Sequence, residues 1–331
     1  MSVRPPSTLV IRPGALGDSI LTLPALHALW LSGAENLVVL GTSSSWAFVR
    51  KAHDGLRIRD FSSSDWMGLF SNDVALGESA RGTLQHTDSA VIYLTGDMSV
   101  AVNALKAHGV QKVLCIPAPL AVYGISNEPH ASRQLTAGLS AWVAPHFIEE
   151  AHAITEAAND VFLRFDEDER HRALFAIGLD AVPAKGFVAI HPGSGGRKKC
   201  WPAEHFARVA TKLACRDGVV PLVFFGPAET EIRETFESAI PPGVDWQPVQ
   251  DRPLREVLAL LSLSRGYVGN DSGITHLAAR ACPTLAIFGP SNSQVWAPVG
   301  KSVRILQAPE GDLSRLSVDE VLEKLEDTMT S

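Results

Sequence analysis

The chain has 331 residues, 46% of them hydrophobic and 20% charged, with a formal net charge of −7; this length argues for two domains, and the acidic balance excludes the broad basic field of a nucleic-acid binder. Cys115, Cys200, Cys215 and Cys282 are scattered without metal-ligand or redox spacing, so reduced thiols are expected. The opening residues lack an apolar stretch long enough for a signal peptide, and no segment approaches the roughly 20 apolar residues of a membrane span; a cytoplasmic protein is expected.

In chain order, short apolar runs alternate with amphipathic stretches, which argues for parallel sheets covered by helices. Strands are predicted at 8–12, 36–40, 56–61, 89–94 and 110–116, with helices at 18–31, 43–53 and 97–108. A charged helix at 166–179 marks the junction between a domain over 1–165 and a second over 166–331. The pattern then restarts with a strand at 187–191 and a helix at 202–213. Pro202 suits a first helical position, and Phe206, Val209, Ala210 and Leu213 follow the helical period. Next come a strand at 219–225, helices at 229–239 and 253–263, a strand at 265–268, a helix at 274–281 and a strand at 284–288. A terminal helix over 317–327 opens on a capping box, Ser317 with Glu320, and carries one apolar stripe, Val318, Val321, Leu322 and Leu325. Such a stripe must dock on something. Two open parallel sheets, each with a glycine-rich loop after its first strand, place a ligand beyond the carboxyl ends of the strands, in a cleft between the domains.

Four stretches carry candidate chemistry. In VIRPGALGDSILTLPAL (10–26) a strand runs into Gly14-Ala15-Leu16-Gly17, and a helix begins near Asp18. The glycines permit a tight turn and a close ligand. Asp18 is either an N-cap or a carboxylate at the mouth of the cleft acting as a general base. The G-x-x-G spacing falls short of a dinucleotide fingerprint. In VAIHPGSGGRKKCWPAEHF (188–206) a strand ends at His191, itself more often a packed strand end than a catalyst. Gly193, Ser194, Gly195 and Gly196 then offer free amides, followed by Arg197, Lys198 and Lys199. Small residues with cations ahead of a helix suit a pyrophosphate; a solvated basic loop is the plainer alternative. In FFGPAETE (224–231), Glu229 either complements a helix dipole or accepts hydrogen bonds from both hydroxyls of a ribose. In YVGNDSGITHLAARA (267–281) a strand ends in Gly269-Asn270-Asp271, and Ser272-Gly273 opens a helix carrying His276. Singly, Asp271 reads as a cap and His276 as a buried structural histidine. Together they put an acid, a hydroxyl, glycine amides and an imidazole on one lip.

These stretches, RPGALGD, HPGSGGRKKCWP, GPAE and GNDSGITHLAA, followed by FGP at 288–290, resemble the family 9 glycosyltransferases, best known for the lipopolysaccharide core heptosyltransferases. The resemblance implies a GT-B fold, two Rossmann-like domains with parallel sheets facing a central cleft, donor in the second and acceptor in the first. It implies an inverting transfer without metal or other cofactor, from a nucleotide sugar such as ADP-heptose to a glycolipid or oligosaccharide acceptor. It also admits a peripheral contact with the cytoplasmic face of the inner membrane. By position Asp18 matches the catalytic aspartate, Lys199 the lysine on the donor phosphates and Ser194 a hydroxyl residue of the same loop. Glu229 matches the ribose-binding glutamate, and Asp271, Ser272, Gly273 and His276 match the segment holding the pyrophosphate. The terminal helix is expected to pack back on the first domain. The first domain departs from the family pattern at TGDMSVAVNAL and CIPAPLAVYGIS, on the acceptor side. A nucleotide-sugar epimerase on the same fold, or a non-catalytic donor-binding relative, are the alternatives.

Overall fold

The computed structural model describes residues 6–49, 55–71, 73–119, 128–157 and 160–330. Two compact units emerge, Met1–Leu120 with Ala131–Ile154, and Ala121–His130 with Thr155–Ser331.

In the first unit five strands, β1 (Ser7–Ile11), β2 (Asn36–Gly41), β3 (Leu56–Asp60), β4 (Ser89–Leu94) and β5 (Lys112–Pro117), lie parallel in the order β3-β2-β1-β4-β5. The helices are α1 (Leu16–Leu21), α2 (Leu23–Leu31), α3 (Glu78–Leu84), α4 (Ser99–Ala107), α5 (Ala131–Ala137) and α6 (Pro145–Glu156), the last ending at the division between units. Leu9, Ile11, Val38, Leu40, Ala90 and Ile92 form one face of the sheet and are buried with Trp66, Leu69, Ala101 and Leu105.

In the second unit, helix α7 (Glu167–Phe175) precedes β6 (Phe187–His191), α8 (Ala203–Lys212), β7 (Val220–Phe225), α9 (Thr230–Ala239), β8 (Gln247–Gln250) and α10 (Leu254–Ser262). Then follow β9 (Ser264–Asn270), α11 (Gly273–Ala278), β10 (Thr284–Phe288), α12 (Ser293–Trp296), β11 (Val303–Gln307) and α13 (Val318–Met329). The six strands are parallel in the order β11-β10-β9-β6-β7-β8. Both sheets thus carry the doubly wound order in which the first strand of the unit meets the fourth. The central strands β1, β6 and β10 are buried along their whole length, as continuous apolar runs between helical layers require.

Several expectations need correction. The single helix at 18–31 is two, α1 and α2, meeting at Thr22. Pro24 has no N–H to offer the carbonyl of Ile20, so the helix cannot run through. The segment 43–49 forms turns rather than a helix, and 50–53 lie outside the described residues. The edge strands β8 and β11 were not foreseen: both are short, β8 is polar with Pro248 tolerated in an edge, and β11 is interrupted by Arg304. The units divide earlier than residue 165. Phe162 and Leu163 are buried, and Arg280 forms a buried ion pair with Asp160 at 3.6 Å within the second unit. Arg280 also donates to the carbonyls of Thr155 and Val299. Nor does the terminal stripe serve the first domain as expected. Val321, Leu322 and Leu325 lie in the core of the second unit with Val188, Val268, Leu285 and Ile287, and α13 packs on α8, β9, β10 and β11. The exposed flank of that sheet leaves apolar surface that only an adjacent helix can cover, and Ser317 starts the helix there by accepting from the amide of Glu320 at 3.2 Å.

Because Leu325 is fully buried, Leu325→Ala should destabilise the second unit by about 2–5 kcal/mol. Amide exchange should accelerate in β9, β10 and β11 while β1, β2 and β4 keep their protection; the opposite pattern would place the helix with the first unit.

Candidate functional site

In the first unit the chain leaves β1 through Arg12, Pro13 and Gly14 into α1. Gly14 has φ +149°, and a Cβ there would come within 3.0 Å of the Asp18 side chain. A side chain at 14 is therefore excluded both by backbone and by space. Asp18 is the third residue of α1, not its cap; Ala15 holds the cap position. One carboxylate oxygen accepts from the Arg12 guanidinium at 2.8 Å, and the other accepts from the amide of Ala15 at 3.1 Å. Arg12 is buried, also donates to the Thr22 hydroxyl at 3.3 Å, and is held below the usual arginine range by that burial, with Asp18 opposing the shift. The Thr22 hydroxyl donates in turn to the carbonyl of Asp18 at 2.8 Å. Each carboxylate oxygen has two lone pairs, so each keeps one, and 31% of the Asp18 side chain is exposed. The aspartate is clamped in orientation yet able to accept a proton.

In the second unit the site lies where the strand order reverses, at the adjacent carboxyl ends of β6 and β9. The glycine loop after β6 is fixed by Asn270, the last residue of β9. Its side-chain nitrogen donates to the carbonyl of Pro192 at 2.8 Å, and its oxygen accepts from the amide of Trp201 at 2.9 Å. The Ser194 hydroxyl donates to the carbonyl of Asp271 at 2.6 Å. Lys199 Nζ donates to the Asp271 carboxylate at 2.7 Å; Asp271 is buried, whereas the lysine keeps 32% of its side chain exposed. Gly195 and Gly196 border open space. An anion entering here would meet loop amides and one oriented ammonium.

Beside the loop, a chain of side chains crosses the ends of three strands. Glu229, at the start of α9, accepts from the amide of Gly226 at 2.7 Å and from His191 Nε2, 3.1 and 3.2 Å from its two oxygens. Burial pushes the Glu229 carboxyl up, but hydrogen bonding and charge from His191, with the Gly226 amide, outweigh it and leave the group below the usual glutamate range. A Cβ at residue 193 would sit 1.6 Å from a Glu229 oxygen, so the carboxylate occupies the volume that Gly193 leaves free. On its other side His191 Nδ1 lies 3.2 Å from the Ser272 hydroxyl. Ser272 caps α11 by accepting from the amide of Thr275 at 3.3 Å. The Thr275 hydroxyl donates to the carbonyl of Asn270 and lies 2.9 Å from the hydroxyl of Tyr267. A 220 Å³ cavity opens next to Glu229, lined by Gly226, Pro227, Thr230, Arg233 and Asp251 among others.

The structure therefore brings Ser194, Lys199, Glu229, Asp271 and Ser272 into one hydrogen-bonded neighbourhood, with Gly195 on its open rim and Gly273 as the first residue of α11. His276 is buried one turn along α11. Asp18, Gly14 and Gly17 belong to the first unit. Sequence reasoning passed over Arg12, Asn270 and Thr275 and assigned no task to His191. For Arg12 the only signal was a cation six residues before the aspartate. Among the described residues, no three or more His, Cys, Asp or Glu are grouped to hold a metal ion.

Residues 123–325, more than half of the chain, match the profile of glycosyltransferase family 9 (heptosyltransferase). Lipooligosaccharide heptosyltransferase 2 of Haemophilus influenzae is 31% identical over 144 residues, 42% of this chain and 40% of that protein. Lipopolysaccharide heptosyltransferase 1 of Escherichia coli strain K12 is 29% identical over 179 residues, 47% of this chain and 55% of that protein. The chain thus spans about half the length of the relatives it matches. The solved structure of the ADP-heptose LPS heptosyltransferase II of E. coli covers 98% of both chains with a TM-score of 0.73 at 18% identity. That likeness bears out the α/β class and the GT-B fold with its two Rossmann-like units. The profile runs through the loop, the strand-end acid and the helix cap that the second unit gathers, and on that match the chain belongs to glycosyltransferase family 9.

Proposed function

We propose that the protein is an inverting, metal-independent glycosyltransferase. It moves heptose from ADP-heptose to a lipopolysaccharide-core or related cell-surface glycan acceptor, at the cytoplasmic face of the inner membrane. The observation that carries the proposal is the neighbourhood at the ends of β6 and β9, where Gly195 and Gly196 border open space and Lys199 stands near an ionised, partly enclosed Glu229. That combination suits a nucleoside diphosphate, with phosphates on the loop and ribose hydroxyls donating to Glu229. Family membership favours transfer over epimerisation, and the names of the relatives favour heptose.

In the proposed reaction the acceptor hydroxyl attacks the anomeric carbon opposite the nucleotide. Asp18 takes the hydroxyl proton through a lone pair that neither Arg12 nor the Ala15 amide uses. Arg12 acts through the carboxylate, fixing its direction, and is itself held by Thr22. The departing diphosphate gathers negative charge, which Lys199, held by Asp271, and the amides of the loop at 193–196 would stabilise. The surroundings of Ser99–Ala107 would shape the acceptor side, where this chain departs from the family pattern; 120–126, in the second departing segment, lie outside the described residues. Among the described residues no helix is long and apolar enough to cross a membrane, so contact with a membrane-borne acceptor would be peripheral.

Three outcomes are expected. ADP should bind in calorimetry with equal affinity in EDTA and in magnesium; binding that vanished in EDTA and returned with magnesium would overturn the metal-free assignment. Lys199→Ala should weaken ADP by about 10–100-fold, the worth of one charge-assisted phosphate contact. Lys198→Ala, at an exposed neighbour, should change it by less than about threefold. Equal losses at the two positions would remove the distinction. Asp18→Asn retains an oxygen for Arg12 yet cannot take the proton. Heptosyl transfer should fall about 100-fold or more, with ADP affinity unchanged and thermal unfolding only slightly shifted. Near wild-type transfer by this variant would leave the base unassigned.

A further inference from the structure

His191 is buried at the end of β6, and its two ring nitrogens face different halves of the site. Nε2 lies 3.1 and 3.2 Å from the oxygens of Glu229, and Nδ1 lies 3.2 Å from the hydroxyl of Ser272. A carboxylate can only accept, so Nε2 carries the hydrogen directed at Glu229. Nδ1 then accepts from the Ser272 hydroxyl when the ring is neutral and donates to its oxygen when the ring is charged, and in both states the ring bridges the two side chains. The Ser272 oxygen accepts from the Thr275 amide, the Thr275 hydroxyl gives its own hydrogen to the carbonyl of Asn270, and the Ser272 hydroxyl has both His191 Nδ1, at 3.2 Å, and Thr275 Oγ1, at 3.1 Å, within reach. The result is a continuous chain of contacts from Ser272 through His191 to Glu229. On the far side Glu229 is confined by the Gly226 amide at 2.7 Å and by the bare α-carbon of Gly193. The cavity beside it leaves the carboxylate room to re-aim if the imidazole is lost.

We propose that His191 is a positioning residue that couples the carboxylate half of the donor site to its phosphate half. Resting on the assignment of this site to a nucleoside diphosphate, the imidazole fixes the direction of Glu229 and the hydroxyl of Ser272 together. A ligand that engages one half therefore finds the other already set. Side chains that share a hydrogen-bonded network give non-multiplicative losses on mutation, whereas independent ones multiply.

The test is a double-mutant cycle of Glu229→Gln and Ser272→Ala, read as calorimetric ADP affinity, with His191 present and again in His191→Asn and His191→Gln backgrounds. Asn keeps a polar group on the Ser272 side, Gln one on the Glu229 side, and neither spans both. With His191 present, the combined loss should depart from the product of the single losses by at least about threefold; in either background lacking the imidazole it should agree within about twofold. Losses that multiply with His191 present, or depart equally without it, overturn the proposal and leave the nucleotide assignment standing. A wild-type protein that binds no ADP overturns the assignment and the proposal with it. A second measurement needs no nucleotide and no His191 variant. In ¹⁵N-histidine-labelled protein, Ser272→Ala should move the Nδ1 resonance of His191 and Glu229→Gln the Nε2 resonance, and resonances that stay in place would overturn the bridge.

Discussion

Asn270 is fully buried at the carboxyl end of β9, and its single side-chain amide holds both ends of the glycine loop, Pro192 by its carbonyl and Trp201 by its N–H. Between those two points the chain runs through Gly193, Ser194, Gly195 and Gly196, residues that contribute little packing of their own. Without the amide, a loop of that composition would sample many conformations and order only when a ligand arrived, at a cost in affinity. Trp201 secures the same end from below. Its ring is buried in the core of the second unit, and its indole N–H donates to the carbonyl of Leu316 at 3.2 Å. The loop is therefore flexible by sequence and fixed by two neighbours, one polar and one apolar. Lys199 and Ser194 reach Asp271 because of that fixation.

The two units use a common device with different chemistry. Each ends its first strand beneath a glycine, and each orients a carboxylate there through a basic side chain from the end of that strand, Arg12 for Asp18 and His191 for Glu229. Arg12 is a cation with several donors, and it clamps Asp18 while also reaching Thr22. His191 has one nitrogen for each of two partners and so relays rather than clamps. The first carboxylate keeps a substantial exposed face, whereas the second is more enclosed.

Much of this was legible before the fold was known. The central strands read as apolar runs because both faces are buried, and the loops read as glycine clusters because backbone must turn sharply or come close. Asp18, Ser194, Lys199, Glu229, Asp271 and Ser272 stood out through their place beside such loops. What stayed hidden depends on pairing between distant segments. Nothing in the strand ending at 191 announces a glutamate 38 residues later. Nothing around Arg12 distinguishes a buried clamp from a surface cation. The edge strands β8 and β11 carry too few apolar residues to alternate visibly. The stripe on α13 declared that it must be covered but not by which unit, since an amphipathic pattern specifies a buried face and leaves its partner open.

The contact between Gly193 and Glu229 reaches beyond binding. Any side chain at 193 would claim the space of the carboxylate, since even a lone Cβ would fall 1.6 Å from one of its oxygens. Mutational tolerance at 193 is therefore conditional on the residue at 229. A methyl group there would require the glutamate to leave its present position, and a shortened acid would remove that conflict. The same order of events constrains evolutionary drift: a descendant that gave up the acid could acquire a side chain in the loop afterwards, and that side chain would then bar the acid's return. The pair works as a ratchet, in which loss of the carboxylate opens a path that the steric bulk of position 193 closes behind it.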